Sequence, residues 1–396
     1  MGEGRSILIA GGGLGGLAAA LALGRKGLAV RVLEQAQKFA PIGYGIQLGP
    51  NVFPMFDRLG ISAAVMRDAT IPRNILMLDA LSGEEVTHIP TGPKFRARFT
   101  HPYIIIHRED IHRVLIEACA AVPAITMEGG AGVADFEETD DGGVRVVLED
   151  GRRVEGAALI GADGLRSAVR ARLVTEGEPQ PIGYVAHRTI VPMDALAAHI
   201  PYREEVVLWG GPGFHIVHYP LRHGTLFNVV AVFRTATFAE RLDPAAYAAE
   251  VRKTYQDAHP VMKTLTDMMD LERRWIIADR DPIRHWGKGR VTLLGDAAHP
   301  VLQSFAQGAC MAIEDGVVLG ELVALAGGDL AQAFACYQKN RLLRTARLAL
   351  ESRAIWGFYH AEGIARDVRN DTCARWSEDD VFRCLAWLYD GVVLPS

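Results

Sequence analysis

Residues 6–16 are the most constraining part of the chain, because an apolar run, Ser-Ile-Leu-Ile-Ala, breaks there into Gly-Gly-Gly-Leu-Gly-Gly. A helix-compatible Leu-Ala-Ala-Ala-Leu-Ala-Leu run and then a second apolar run follow it. Gly11 permits a tight turn, Gly13 lets the backbone approach a pyrophosphate, and Gly16 lets helix and strand pack closely. The unpaired N–H groups of the helix N-terminus suit phosphates. This order predicts a βαβ unit that binds a dinucleotide.

The second apolar run ends at Glu34. An acid roughly 20 residues after the glycines can accept a hydrogen bond from a ribose 2′-hydroxyl. Strand, helix, second strand and acid in this order are far more specific than the glycines alone. The unit predicts a nucleotide cofactor without choosing one, since an NAD-dependent dehydrogenase would carry the same motif.

The composition argues against several classes of protein. The 396 residues are 49% hydrophobic and 22% charged, enough to bury the cores of about two or three domains. A formal net charge of -5 supplies no broad cationic face for nucleic acid or anionic lipid. The 5 cysteines lack CxxC spacing and suit reduced thiols. No apolar stretch reaches the roughly 18 residues of a membrane span. We expect a cytoplasmic enzyme that binds neither nucleic acid nor membrane.

The pattern of apolar residues changes along the chain. Residues 72–107 predict short strands separated by turns. Residues 144–162 predict a hairpin in which Val-Arg-Val-Val-Leu pairs with Ala-Ala-Leu-Ile-Gly and the chain turns at residues 149–151. Three β-rich runs predict the main sheet of a second domain: 205–209, 214–219 and 227–233. No linker separates these parts, so we expect interleaved domains. The predicted division is a nucleotide-binding domain of residues 1–71, 108–180 and 276–340, a substrate domain of residues 72–107 and 181–275, and a helical C-terminal segment of residues 341–396.

Two further segments extend the nucleotide motif. In residues 161–170, Gly-Ala-Asp-Gly-Leu-Arg-Ser-Ala-Val-Arg, a strand ends and Asp163 begins a turn into a helix. In residues 295–300, Gly-Asp-Ala-Ala-His-Pro, a strand ends before Asp296, and the next predicted helix begins at Gly308-Ala309. An acid at the carboxyl end of a strand can accept hydrogen bonds from ribityl or ribose hydroxyls, and a helix N-terminus stabilises a neighbouring anion.

The GxGxxG motif, Gly-Ala-Asp-Gly with Ser167 and Arg170, and Gly-Asp-Ala-Ala-His-Pro together resemble the group A flavoprotein aromatic hydroxylases over nearly the whole chain. The resemblance implies an α/β fold. A Rossmann-like FAD-binding domain is interleaved with a β-sheet substrate domain, as in p-hydroxybenzoate hydroxylase, and a helical C-terminal segment follows. It also implies FAD as a tightly held cofactor, NADH or NADPH and molecular oxygen as co-substrates, and a homodimer. The choice between NADH and NADPH stays open.

The same resemblance assigns roles in FAD binding. Glu34 is expected on the adenosine ribose, Arg108 near the FAD chain, and Asp296 on the ribityl and phosphate region. The turn at Gly308-Ala309 is expected near the isoalloxazine, and the Asp163 segment near FAD and the nicotinamide nucleotide. The predicted cofactor residues are therefore Gly11, Gly13, Gly16, Glu34, Arg108, Asp163, Asp296, Gly308 and Ala309.

Within the family, residues 211–222 and 300–308 most resemble members that act on 3-hydroxybenzoate. The resemblance implies hydroxylation para to the substrate hydroxyl through a flavin C4a-hydroperoxide, which gives gentisate. Salicylate hydroxylases, 6-hydroxynicotinate 3-monooxygenases and other aromatic-ring flavin monooxygenases share most of the flavin motifs and stay as alternatives. Gln303 favours the resemblance to members that act on 3-hydroxybenzoate, because the nicotinate relatives tend to place another polar residue there.

A phenol reacts faster with an electrophilic oxygen donor once its proton is withdrawn, so the site needs a base. His215 is the candidate, because an imidazole with a pKa of about 6.5 is poised for that transfer. His215 and Tyr219 lie four residues apart on a predicted strand and share one face, with His218 on the other. Tyr219 can hydrogen-bond the substrate, and Gln303 can orient its ring.

Plainer roles compete with these assignments. His215 can be a packed histidine, Tyr219 a wall of the sheet, and Gln303 a partner for loop carbonyls. His299 is interpreted as scaffold of the flavin loop. No metal is expected, since Arg108 and His112 have helical spacing but lack a third ligand. The cation that holds a substrate carboxylate is left open among three arginines near the predicted substrate sheet: Arg188, Arg222 and Arg234.

Overall fold

The computed structural model describes residues 5–39, 43–195, 200–238 and 243–394. The strands are β1 (Ile7–Ala10), β2 (Val30–Glu34), β3 (Gly45–Leu48), β4 (Asn74–Asp79), β5 (Glu85–Pro90), β6 (Ile104–His107), β7 (Ile125–Gly129), β8 (Val133–Glu138), β9 (Val144–Leu148), β10 (Arg153–Gly156), β11 (Ala158–Gly161), β12 (Gln180–Pro192), β13 (Val206–Gly211), β14 (Phe214–Leu221), β15 (Leu226–Arg234), β16 (Trp275–Asp279), β17 (Gly287–Lys288) and β18 (Val291–Leu293).

The helices are α1 (Leu14–Gly24), α2 (Phe53–Leu59), α3 (Ser62–Asp68), α4 (Pro93–Phe99), α5 (Arg108–Ala120), α6 (Ala168–Leu173), α7 (Pro244–Thr254), α8 (Pro260–Asp267), α9 (Gly308–Leu325), α10 (Leu330–Tyr359), α11 (Gly363–Cys373) and α12 (Glu378–Tyr389). Short 3₁₀ helices lie at Pro50–Val52, Met193–Ala195, Gly295–Ala297 and Gln303–Phe305. Within the described ranges, none of the helices has the length and apolar character needed to cross a membrane.

A six-stranded sheet in the order β17-β18-β11-β1-β2-β7 brings the three glycine-containing motifs together. Strands β18, β11 and β1 are parallel neighbours, so their carboxyl ends meet at one edge. β1 leads into α1, β11 into α6, and β18 into α9. In an open parallel sheet, this edge is where ligands bind. The fold is therefore the doubly wound α/β arrangement that the motifs predicted.

Helices α1 and α9 pack closely because small residues face each other. A Cβ atom added at Gly316 would lie 2.6 Å from the backbone nitrogen of Ala19, and one added at Gly320 would lie 2.6 Å from Cβ of Ala22. Both distances are shorter than real Cβ contacts, so larger residues would separate the helices. The alanine-rich sequence of α1, buried along its whole length, thus positions the N-terminus of α9 at the binding edge.

A seven-stranded sheet in the order β16-β12-β15-β14-β13-β4-β5 forms the second layer. Its pairs are antiparallel apart from β13 with β4. On one face of β14, Phe214 and Ile216 join a buried core with Tyr255 and Met262 near the end of α7 and in α8. The opposite face of β14 is turned toward the nucleotide-binding edge of the first sheet.

The C-terminal helices connect the two sheets. Asp79, at the end of β4, is fully buried and accepts hydrogen bonds from Arg366 and Arg369 of α11 at 2.7 and 2.8 Å. Arg353 of α10 donates to Asp279 at the end of β16 at 2.6 Å. Because a charge buried without a partner is unfavourable, the Asp79 cluster ties the C-terminal segment to the substrate sheet.

The structure differs from the predictions in several places. Val144–Leu148 pairs with Arg153–Gly156 rather than with the next apolar run, which joins β1 in the parallel sheet. The reason is burial, since Arg153–Gly156 alternates between exposed and buried residues whereas Ala158–Gly161 is buried throughout. Pro93–Phe99 is a helix instead of strand, with proline in its first turn. Strand β16 runs across the predicted boundary after residue 275, and helix α10 runs across the one after residue 340.

Candidate active site

A cavity of about 940 Å³ lies between the binding edge of the first sheet, the face of β14 and the C-terminal helices. From the motif loops it is lined by Gly13, Ala162, Gly164, Asp296, Gly308 and Ala309, together with Arg108. From the second sheet and the 3₁₀ turn it is lined by Arg188, His215, Val217, Tyr219 and Gln303. The predicted catalytic residues and most of the predicted cofactor residues therefore border one space.

The glycines of the first motif have different surroundings. Gly11 has a φ of +102°, and an added Cβ there would collide with the backbone of Ala162. An added Cβ at Gly16 would collide with the carbonyl oxygen of Gly11. At Gly13, by contrast, an added Cβ would meet nothing within 4 Å, and the residue lines the cavity. The chain thus leaves an open strip beside the N-terminus of α1, which fits a pyrophosphate.

Glu34 is the last residue of β2 and lies beside the glycine-rich turn of the first motif. Its carboxylate accepts hydrogen bonds from the backbone N–H groups of Gly12 at 2.7 Å and Ala36 at 2.9 Å. A carboxylate has about four acceptor positions, so it can still accept bonds from a ribose. His112 holds the same loop through a 2.7 Å contact between Nε2 and the carbonyl oxygen of Gly12.

Asp296 and the N-terminus of α9 border the other end of the strip. The side chain of Asp296 projects into the cavity, and the surrounding protein raises the pKa of its carboxyl group. Gly308 and Ala309 are the first two residues of α9, and their N–H groups are among those a helix leaves unpaired. Arg108, at the start of α5, supplies a positive charge to the lining. The Asp296 carboxyl group can accept bonds from the hydroxyl groups of FAD, the N–H groups of α9 can donate to its ring, and Arg108 can pair with its phosphates.

Two motif residues are turned away from the cavity. Asp163 accepts hydrogen bonds from the Ser167 hydroxyl and from the backbone N–H of Val169, so its carboxylate lies against the start of α6. Burial raises the pKa of Asp163, and these hydrogen bonds oppose the rise. His299 contacts Asp315 at 2.6 Å between Nε2 and Oδ2, a buried pair that supports the loop after β18. This placement agrees with the scaffold interpretation of His299.

Strand β14 presents its residues alternately, as its sequence predicted. His215, Val217 and Tyr219 line the cavity. His218 lies on the opposite face, where its Nε2 accepts a hydrogen bond of 3.0 Å from the Trp209 indole. Burial lowers the pKa of His218 to about 3, which makes it a neutral core residue. Burial also lowers the pKa of His215 well below its ordinary value, so that imidazole is neutral at pH 7.

Tyr219 is part of a hydrogen-bonded group that the sequence did not predict. Its hydroxyl is hydrogen-bonded to the side chain of Gln47, whose Oε1 also accepts from Tyr103 at 2.7 Å. Burial raises the pKa of Tyr219, so its hydroxyl stays protonated. Gln47 and Tyr103 lie on or next to the paired strands β3 and β6 and also line the cavity.

Gln303 and Arg188 meet from different elements. The amide oxygen of Gln303 accepts a hydrogen bond of 3.0 Å from the Arg188 guanidinium. Arg188 lies on β12 and lines the cavity. Arg222 instead pairs with Asp110 at 3.1 Å, and Arg234 is exposed at the end of β15. Of the three arginines that the sequence left open, Arg188 is the one that borders the site.

Sequence patterns contained these additional residues without linking them. Gln47 stands in the Gly-Ile-Gln-Leu segment of β3, and His360 follows α10, where its Nε2 lies 2.8 Å from Nδ1 of His215. No spacing connects residues so far apart in the chain. Among the described residues, no group of three or more His, Cys, Asp or Glu side chains is arranged to hold a metal ion.

The fold and the site define an FAD-dependent oxidoreductase. Residues 5–351 match the family model described as FAD binding domain, and the chain belongs to this family. The 3-hydroxybenzoate 6-hydroxylase of Polaromonas naphthalenivorans (strain CJ2) is 43% identical over 383 residues, covering 97% of this chain and 95% of the relative. The enzyme of the same name from Klebsiella oxytoca is 42% identical over 386 residues, covering 96% of each.

Solved structures support the same class. The structure of Klebsiella pneumoniae HpxO complexed with FAD and uric acid superposes with a TM-score of 0.85 at 26% identity, covering 98% of each chain. With these relatives, the family match and the residues that fit FAD, the chain is a single-component FAD-dependent aromatic monooxygenase. The predicted fold class, cofactor and enzyme class are confirmed.

Proposed function

We propose that this protein hydroxylates 3-hydroxybenzoate at the carbon para to its hydroxyl group and releases 2,5-dihydroxybenzoate (gentisate). One oxygen atom of O₂ enters the ring and the other leaves as water, while NADH or NADPH gives up a hydride. The observation that carries the proposal is the meeting of four polar side chains beside the FAD motifs: His215, Tyr219, Gln303 and Arg188. The likeness to two relatives named 3-hydroxybenzoate 6-hydroxylase supports the same substrate.

The motif residues hold the cofactor in this proposal. FAD, when bound, supplies the hydride acceptor and the activated oxygen. Gly13 leaves room for its pyrophosphate, Gly11 and Gly16 form the tight turn beside it, and Glu34 binds the adenosine ribose. Arg108, Asp296 and the Asp163 segment bind the phosphate and ribityl region, with Gly308 and Ala309 near the isoalloxazine. The N-terminus of α9 favours negative charge on a group beside it.

His215 is the proposed base. With Nδ1 engaged by His360, its Nε2 is the nitrogen left for a substrate in the cavity. A neutral imidazole can accept the phenol proton, and this withdrawal makes the para carbon nucleophilic. The lowered pKa of His215 keeps the accepting form populated at neutral pH.

Tyr219 and Gln303 are the proposed orienting residues. The protonated Tyr219 hydroxyl is held by Gln47 and can donate to a substrate oxygen while accepting another bond. Gln303 is fixed through its oxygen by Arg188, which leaves its amide N–H groups to the substrate. Both residues hold one ring orientation, and the oxygen is then delivered to a single carbon.

Arg188 is the proposed partner of the substrate carboxylate. Its hydrogen bond to Gln303 uses one of the guanidinium N–H groups and leaves others free. A planar guanidinium binds a carboxylate through two parallel hydrogen bonds. The proposal therefore requires an acid as well as a phenol in the substrate.

Product analysis tests this function. FAD-loaded protein is mixed with O₂, NADH or NADPH, and 3-hydroxybenzoate, salicylate, 4-hydroxybenzoate or 6-hydroxynicotinate in separate reactions. We expect gentisate from 3-hydroxybenzoate, with one reduced nicotinamide consumed for each product molecule. Catechol from salicylate or decarboxylation of 6-hydroxynicotinate as the main reaction would replace the substrate assignment. Hydrogen peroxide alone from every compound would contradict it.

We further propose a homodimer and a cytoplasmic location. We also propose the two interleaved domains followed by the helical C-terminal segment, with the substrate domain extended to Asp279. The dimer is supported by exposed apolar side chains on α10 and α11, among them Leu343 at 79% and Ile364 at 78% exposure. The location is supported by cysteines that are all free thiols. Sedimentation of wild-type protein and a Leu343→Glu variant tests the dimer, which requires twice the chain mass for the wild type.

A further inference from the structure

A second histidine stands directly behind the proposed base. Nδ1 of His215 and Nε2 of His360 are 2.8 Å apart, and the two residues are 2% and 9% exposed. A hydrogen bond between two neutral imidazoles holds one proton, which belongs to one ring or to the other. If His215 donates from Nδ1, its Nε2 is a free acceptor. If His360 donates, Nε2 of His215 carries the proton and cannot act as a base.

The surroundings of the pair are aromatic. Trp356 lies edge-on to both imidazoles with ring centroids 5.2 and 5.0 Å away, and Tyr184 stacks on His360 at 4.9 Å. The ring of Tyr359 is 5.9 Å from His215. Arg234 is the charged group that, after burial, lowers the pKa of His360 to about 4. A protonated imidazole without a negative charge nearby is therefore costly at either position.

The second nitrogen of His360 is shielded from solvent. Nδ1 of His360 is buried and has no hydrogen-bond partner among the described residues. His360 directly follows α10, and the exposed stretch beyond it begins at Glu362. A buried polar atom without a partner is unusual, and a proton on this atom has no direct contact with water.

Resting on the proposed function, we infer that His360 holds His215 in the tautomer with Nε2 unprotonated and accepts the Nδ1 proton when His215 takes the phenol proton. The phenol O–H bond breaks and an N–H bond forms at Nε2 of His215. The N–H bond at Nδ1 of His215 breaks and one forms at Nε2 of His360. His360 then carries the positive charge that balances the phenolate, and the proton returns by the same path when the product oxygen is protonated. No proton leaves the site in this step: the phenolate remains, His215 is neutral with its proton on Nε2, and His360 is positively charged.

Three variants of the FAD-loaded protein test the inference. His360→Phe keeps a ring between Tyr184 and Trp356 but removes both nitrogens. His360→Gln keeps a hydrogen-bonding group but cannot accept a proton. Tyr184→Phe is the matched control, because it keeps the ring that stacks on His360 and removes a hydroxyl. Each is assayed for bound flavin, nicotinamide oxidation, aromatic product and peroxide between about pH 6 and pH 10.

We expect at least a tenfold lower rate of product formation at pH 7 in His360→Phe and His360→Gln, with nicotinamide oxidation continuing and peroxide replacing product. Product formation recovers toward about pH 10, the ordinary pKa of a phenol, because the solvent then removes the proton. Tyr184→Phe keeps the wild-type pH profile. If the His360→Phe variant loses its bound flavin, the pH profile of the His360→Gln variant alone tests the inference.

A wild-type pH profile in His360→Phe or His360→Gln overturns the inference. The proposed function itself fails in two other cases. In the first, the wild-type protein forms no product from any phenolic acid. In the second, the His215→Phe variant forms product at an undiminished rate. Loss of product in His215→Phe together with wild-type behaviour of both His360 variants shows that the base assignment stands and the relay does not.

Discussion

Replacing Arg188 by Met should weaken binding of the acid substrate and spare a neutral analogue. Arg188 is half-buried, and its guanidinium already holds Gln303 at 3.0 Å. A hydrogen bond to a charged group contributes about 1.5–3 kcal/mol, and the partial exposure of Arg188 limits the pair with a carboxylate to about 2–3 kcal/mol. Since 1.4 kcal/mol is a factor of about ten, the dissociation constant of 3-hydroxybenzoate should rise about 30- to 150-fold.

The assay titrates oxidised, FAD-loaded protein with ligand and follows the flavin absorbance. Each variant is titrated with 3-hydroxybenzoate and with 3-hydroxybenzamide, which has the same ring and hydroxyl but no charge. Arg234→Met is the control, because Arg234 is exposed outside the cavity lining. We expect only a few-fold loss for the amide and none for the control. An equal loss for acid and amide would refute the charge pairing, since Arg188 would then act through Gln303 or through folding.

His215→Phe should lower product formation by about 10²- to 10⁴-fold while nicotinamide oxidation continues as peroxide formation, measured by product and peroxide assays. Because the pKa of His215 is lowered, the wild-type acid limb should lie below about pH 6.5, and a limb above that value contradicts a neutral base. Gly13→Val should fill the open strip and abolish bound flavin without unfolding, whereas Gly177→Val, also in open space, should keep flavin absorbance. Burial alone raises the pKa of Asp79, but hydrogen bonds led by the one from Arg366 lower it well below its usual range. The ionised Asp79 carboxylate therefore stabilises the folded protein above about pH 4, and this contribution to the free energy of unfolding is lost as the pH falls. Asp79→Asn should cost about 3–5 kcal/mol at pH 7 and flatten this acid dependence in urea unfolding.

Local patterns were sufficient for the cofactor motifs and for the face of β14. Gly11 requires positive φ and Gly16 a close approach, and both requirements act within a few residues of chain. The period of two along a strand likewise brings His215 and Tyr219 to one face and His218 to the other. Such features can be read from sequence because their cause is the geometry of the backbone itself.

Other features depended on partners distant in the chain. The apolar run at Ala158–Gly161 resembled half of a hairpin. Its sequence did not distinguish pairing with β9 from a place in the middle of the parallel sheet, where it pairs with β1. The helix at Pro93–Phe99 was missed although its proline and its two buried phenylalanines had helical spacing. Short apolar segments suit strand and helix alike until packing decides between them.

The sequence by itself determined the class of protein, the cofactor and the strand that carries the proposed base. Only the tertiary structure brought Arg188 to Gln303, Gln47 to Tyr219, and His360 to His215. The last pair is separated by 145 residues, and no periodicity extends across such an interval. A side chain's face is set by its own backbone, whereas the group it meets there is set by how sheets and helices pack.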